Sequence, residues 1–119
     1  MITGIDHVQV AMPRGEEDAA RAFYVGLLGM TEDPKPPQLA ARGGCWFRSG
    51  TAIVHTGVEE SFAPARKAHP GLLVSDLDAL EARLTAAGYG CVRADADGSG
   101  GPRFHAHDPF GNRIEFLQA

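Results

Sequence analysis

Three side chains invite a chemical reading: His7, His69 and Glu115. Two neutral imidazoles and one carboxylate form a donor set suited to zinc, iron, manganese or nickel. Three protein ligands would leave positions open for water or a substrate. Glu115 stands between Ile114 and Phe116, so a carboxylate sits inside an apolar run. A charge there calls for a partner, and a metal is one. Each residue also has a plainer role open to it. A strand histidine is often structural or simply exposed, and Glu115 could face solvent on an edge strand. Whether the three converge depends on the elements that carry them.

Those elements read as two similar halves. The first is a strand at 5–10, a helical run at 16–28 and the stop Gly29-Met30. The second is a strand at 68–74, a helical run at 76–87 and the stop Gly88-Tyr89. Each begins with a histidine near the strand start. The loop Met12-Pro13-Arg14-Gly15 can absorb the small difference in length between them. In the second helix Leu77, Leu80, Leu84 and Ala87 share one face. Ser75 is the expected N-cap, with Asp76 and Asp78 in the first turn. In the first helix Ala19, Ala20, Ala22, Phe23 and Leu27 form the apolar face.

Short extended stretches follow each helix. They fall at 30–33, 44–48 and 52–55 in the first half, and at 89–94, 103–107 and 113–117 in the second. Ser49-Gly50 is a hairpin signal, and Asp108-Pro109-Phe110-Gly111-Asn112 is rich in turn formers. The prolines at 34–37 read as a loop, since proline lacks the donor a central strand needs. The segment 95–101 reads as a flexible loop, and 59–67 links the halves. Each half is therefore strand–helix–strand–strand–strand, an α+β arrangement.

Size and composition set the remaining bounds. The chain has 119 residues, 44% hydrophobic and 22% charged, enough for a packed core and unlike a disordered chain. A net charge of −4 and the lack of a basic patch argue against nucleic acid as a partner. No apolar run approaches the ~20 residues of a membrane span. The first residues do not read as a secretory signal. Cys45 and Cys91 read as reduced thiols, and a cytoplasmic location is expected.

The stretch His105-Ala106-His107-Asp108-Pro109-Phe110-Gly111-Asn112-Arg113-Ile114-Glu115-Phe116 resembles the closing signature of the vicinal-oxygen-chelate superfamily. That superfamily holds glyoxalases, bleomycin-resistance proteins and extradiol dioxygenases. The signature is an Asp-Pro-x-Gly-Asn turn followed by an apolar-Glu-apolar strand. Ile5-Asp6-His7-Val8 is similar to its first strand. Phe23-Tyr24-Val25-Gly26-Leu27-Leu28-Gly29-Met30 is similar to the end of its first helix. The segment from His69 through Val74-Ser75-Asp76-Leu77-Asp78-Ala79-Leu80 is similar to the start of its second module. The likeness runs from Ile5 to Leu117, and its closing signature is the most specific part.

The resemblance implies a single domain over 1–119 made of two βαβββ modules, about 1–58 and 66–119. In the superfamily these form a curved, open eight-stranded sheet around a metal-binding cleft. It implies a divalent metal (zinc, iron, manganese or nickel) on His7, His69 and Glu115. A fourth ligand in many members lies on the last strand of the first module. Aligning Gly50 with Gly111 puts Val54 there, which cannot ligate, and leaves His55 as a possible ligand or acid–base group. Alternation puts Gln9 on the face of His7, and puts Arg103, His105 and His107 on one face. In the similar fosfomycin-resistance enzymes the positions of Arg103 and His105 contact substrate, although a threonine stands where this chain has Gln9. Trp46 is the approximate first-half counterpart of His105. Substrate contacts are thus expected from Gln9, Trp46, Arg103 and His105, and catalytic roles from Glu115 and His105. The activity implied is that of a glyoxalase-like lyase or isomerase, or a small dioxygenase, acting on a small molecule with vicinal oxygens. The alternative is a metal-free drug-sequestering protein of the bleomycin-resistance type. A homodimer, with His7 supplied to the site of the partner, is also expected.

Overall fold

A computed structural model describes residues 1–94 and 100–119. The expected loop at 95–101 falls largely outside the described residues. The chain divides into two compact units, Met1–Ala63 and Pro64–Ala119. Each carries one four-stranded mixed sheet, so the expected eight strands are present as two sheets of four.

The first unit runs β1 (Val8–Met12), α1 (Glu17–Arg21) continued by a π-helical stretch (Ala22–Leu27), β2 (Thr31–Asp33), α2 (Pro37–Ala40), β3 (Cys45–Ser49) and β4 (Ala52–Val58). The second runs β5 (Gly71–Val74), α3 (Leu77–Ala86), β6 (Val92–Arg93), β7 (Arg103–His107) and β8 (Arg113–Gln118). The sheet orders are β1-β4-β3-β2 and β5-β8-β7-β6, the same order twice. In each the first strand pairs parallel with the last, and the other pairs are antiparallel. The helix between them is the crossover a parallel pair requires.

Alternation along the strands sorts the two faces. In β8 Ile114 and Phe116 are buried, while Arg113, Glu115 and Leu117 are not. In β7 Phe104 and Ala106 are buried, with Arg103 and His105 between and beside them. These apolar side chains join Leu77, Leu80 and Leu84 of α3 in the core of the second unit. The first unit does the same with Phe47, Val54 and Cys45 of its sheet and Ala20, Phe23 and Tyr24 of its helix. Tyr24 stacks on Phe47, with ring centroids 5.1 Å apart.

Several local expectations are corrected. The N-cap of α3 is Asp76, not Ser75, because the Asp76 carboxylate accepts the N–H of Ala79 at 3.0 Å. Ala22 and Ala87 are exposed, and Tyr24 takes a core place instead. The π-helical stretch explains the first of these, since its wider turn rotates later side chains relative to a regular helix. It also lengthens the terminal motif. Met30 N–H reaches back to Tyr24 C=O around Gly29 (φ 75°), one residue further than the Tyr89-to-Leu84 bond around Gly88. Pro37 opens α2 rather than belonging to the loop, a position proline favours because its missing donor costs nothing there. The first strand of each module starts later than expected, so His7 and His69 lie just ahead of β1 and β5.

Gly44 is the tightest point of the first unit. Its φ is +83°, and a Cβ there would lie 2.1 Å from the carbonyl oxygen of Thr56. Its N–H donates to Glu17 at 2.8 Å, and this bond is the main cause that holds the Glu17 carboxyl below its ordinary pKa. Gly44→Ala is expected to lower stability by more than about 2 kcal/mol through strain and backbone clash, read from the urea unfolding midpoint.

Candidate metal centre and the pocket of the first unit

The second unit gathers a cluster on the sheet face opposite its buried side chains. In the β7–β8 ladder His105 pairs with Glu115, and in the β5–β8 ladder Gly71 pairs with Glu115. His69, two residues before Gly71, thereby reaches the same place. His105 Nε2 lies 3.3 Å from Glu115 Oε1, and His69 Nε2 lies 3.7 Å from the same oxygen. Arg103 Nη1 stands 3.6 Å from the other carboxylate oxygen. The His69 and His105 rings meet edge to face at 5.3 Å. Glu115 is only 15% exposed, so its oxygens face these groups more than water.

The donor set suits a metal ion. Candidate ligand atoms of His69, His105 and Glu115 all lie within 4.8 Å of one another. Two donors on one first-row ion, each bonded at about 2 Å, lie roughly 3–4 Å apart, which brackets the two distances to Glu115. The His69 ring is also oriented. Its Nδ1–H donates to Lys67 C=O at 2.7 Å, which turns Nε2 toward Glu115. His105 is pushed below the ordinary histidine pKa, first by burial and then by the Arg113 charge, with Glu115 opposing. That shift favours the neutral ring, which can accept a proton.

The turn before β8 aims Glu115. Asp108 is 4% exposed. One of its carboxylate oxygens accepts the backbone N–H groups of Phe110 and Asn112, each at 2.9 Å, and the other accepts the Asn112 side-chain amide at 2.9 Å. Gly111 takes φ 89° inside this loop. The buried carboxylate thus fixes where β8 begins, and with it which residues face the cluster.

His7 belongs to the first unit. Its Nδ1–H donates to Asp6 at 2.8 Å, which leaves Nε2 available, as in His69. Its ring stacks on His55 at 4.2 Å, and His55 stacks in turn on Trp46 at 4.7 Å. Register identifies the equivalent positions. Gln9 pairs with His55 and His55 with Trp46, just as Gly71 pairs with Glu115 and Glu115 with His105. The counterpart of Glu115 is therefore His55, not Val54, which is buried in the core at 2% exposure. The Gly50–Gly111 alignment misled because the first hairpin turns through two residues and the second through five. That odd difference shifts the strand by one residue and so exchanges its faces. Trp46 is the counterpart of His105, as expected.

Gln9, His7, Trp46 and His55 share the wall of a pocket of about 320 Å³ with Lys35 and Arg42. Sequence reasoning missed the two cations, which come from the proline-rich segment and the end of α2. The only signal was their place in a loop between sheet strands. Arg103, expected either at the substrate or in solvent, is 13% exposed and faces Glu115. His107 is exposed at the end of β7.

The comparisons with known proteins agree with this architecture. The model of the Glyoxalase/Bleomycin resistance protein/Dioxygenase superfamily matches residues 4–116. The chain belongs to that superfamily. Among solved structures it is similar to a glyoxalase family protein from Bacillus anthracis, at 48% identity and TM-score 0.92, over 99% of this chain and 96% of that one. It shares its fold with lactoylglutathione lyase from Agrobacterium tumefaciens, at 18% identity and TM-score 0.73, over 100% and 96% of the two chains. It also shares it with a variant of the fosfomycin resistance protein FosX from Listeria monocytogenes, solved with Mn(II) and 1S,2S-dihydroxypropylphosphonic acid. There the identity is 14% and the TM-score 0.75, over 98% and 90%. No curated protein sequence matches the chain. Among the described residues no helix is long and apolar enough to cross a membrane.

Asp108→Ala removes a buried, charge-assisted hub. It is expected to cost about 2–3 kcal/mol in urea unfolding.

Proposed function

We propose that this protein is a metal-dependent enzyme acting on a small substrate that offers two vicinal oxygens, with His69 and Glu115 as metal ligands. The observation that carries this reading is the convergence of His69, His105 and Glu115 within 4.8 Å on one sheet face. The orientation of His69 adds to it, since an Nδ1–H bond to a backbone carbonyl is what fixes a metal-ligating imidazole with Nε2 toward the site. In this reading the third ligand is His7 of a partner copy, whose Nε2 is left available by the Nδ1 bond to Asp6. A bound divalent ion would supply charge stabilisation to the substrate oxygens as negative charge develops there.

The chain's own residues then divide the work. Neutral His105 accepts a proton from the substrate and returns it elsewhere, with Glu115 beside it to favour the protonated ring. Arg103 orients an oxygen-rich or anionic group and balances the Glu115 charge. Gln9 and Trp46 contact the substrate from the first unit. Lyase, isomerase or dioxygenase chemistry all remain within this scheme. The homodimer and the shared site belong to the same reading, as does the cytoplasmic location, for which the two free cysteines speak.

Metal analysis of protein purified without an affinity tag tests the proposal. Near-stoichiometric metal is expected in the wild type and its loss in His69→Ala, Glu115→Ala and His7→Ala. His105→Ala is expected to keep the metal; loss there with retention in His7→Ala would make His105 the third ligand. A protein that takes up none of the candidate ions would instead be read as a drug-sequestering protein. Light scattering is expected to give the mass of a dimer, and a monomer with full metal content would end the shared-site idea.

A further inference from the structure

The pocket of the first unit has a composition the metal chemistry does not explain. Among the described residues its wall includes two side chains of fixed positive charge, Lys35 and Arg42, and no carboxylate. This occurs in a chain whose net charge is −4. The acids beside the wall are paired. Asp33, opposite Trp46 in the β2–β3 ladder, holds Arg48 through two bonds of 2.9 Å, Asp6 bonds His7 of the wall itself, and Glu17 receives the Gly44 N–H. The Lys35 ammonium reaches the Gly43 carbonyl, which places it against the pocket rather than in solvent.

The second feature is the ring stack. Trp46 and His55 are nearly parallel, 10° apart, and His55 and His7 are 21° apart. His55 is covered on both faces, so a flat ligand can extend the stack only at its ends, on the Trp46 face turned away from His55. The third is the Gln9 amide. It lies over Gly57, where a Cβ would be 2.4 Å from the amide nitrogen. It lines the pocket and can hydrogen-bond a ligand there. A volume of about 320 Å³ suits a small organic molecule.

We propose that this pocket binds a planar, conjugated organic anion, with its ring or unsaturated body against Trp46 and its carboxylate toward Lys35 and Arg42. The substrate class of the proposed enzyme is thereby narrowed to aromatic or unsaturated acids. The inference rests on the reading of this sheet face as part of the substrate site, but its test does not require the metal.

Trp46 is the only tryptophan, so its fluorescence reports the pocket directly. Metal-stripped protein is titrated with benzoate, with neutral benzamide and with non-planar cyclohexanecarboxylate. Saturable quenching by benzoate is expected, with each of the other two roughly tenfold weaker. Arg42→Met and Lys35→Met should each weaken benzoate several-fold and leave benzamide unchanged. The comparison of the three probes on wild-type protein stands even if Lys35→Met fails to fold. Equal affinity for benzoate and benzamide, or no saturable quenching, overturns the proposal. His69→Ala separates the two readings. Benzoate binding that persists there without metal supports the pocket alone, and a metal-replete wild type that ignores benzoate sinks the pocket alone.

Discussion

Burial of Ile114 and Phe116 leaves Glu115 only one face on which to lie. That constraint governs the second unit. A strand presents alternate residues to opposite sides, so the two apolar neighbours that join Leu77, Leu80 and Leu84 in the core turn the carboxylate outward. The ladder then brings His105 opposite it and the approach of β5 brings His69. The cluster is thus a by-product of core packing on the other side of the sheet. Moving β8 by one residue would bury Glu115 and expose Phe116 together, so the packing energy of the core also guards the register of the site.

Asp108 is the device that holds this register at its start. A buried carboxylate with three inward donors is stable only if all three are in place, and they are in place only when the loop closes in this form. The first unit uses no such cradle. Its hairpin closes in two residues, and its register is held by Cys45 N–H on the Thr56 hydroxyl and by the Gly44 approach to the Thr56 backbone. The same topology is therefore set by two different local solutions, and the two faces have come to carry different chemistry. One is a histidine–carboxylate cluster with an arginine. The other is a stack of Trp46, His55 and His7 beside two cations.

Much of this was legible in the sequence. The repeated strand–helix–strand–strand–strand order, the Leu77-Leu80-Leu84 face and the strands β7 and β8 follow from periodicity and turn residues, because those elements are long or sharply punctuated. The pairing of His69 with Glu115 came from the resemblance of the closing signature, not from spacing. That His55 rather than Val54 is the counterpart of Glu115 was not legible, since it depends on how many residues the first hairpin spends in its turn. The π-helical stretch and the Asp76 cap were missed because both turn on hydrogen bonds that several neighbouring residues could have made. Lys35 and Arg42 carry no motif, and only the folded loop brings them to the pocket wall of Trp46.

The central claim is that His69 and Glu115 hold a metal ion through an arrangement the core has already fixed. Pulsed electron paramagnetic resonance on Mn(II)-loaded protein tests it directly. The account predicts nitrogen couplings from imidazole in the wild type, weakened or lost in His69→Ala while the far-UV circular dichroism stays unchanged. Manganese that shows only water and no nitrogen coupling, or couplings untouched by His69→Ala, would contradict it.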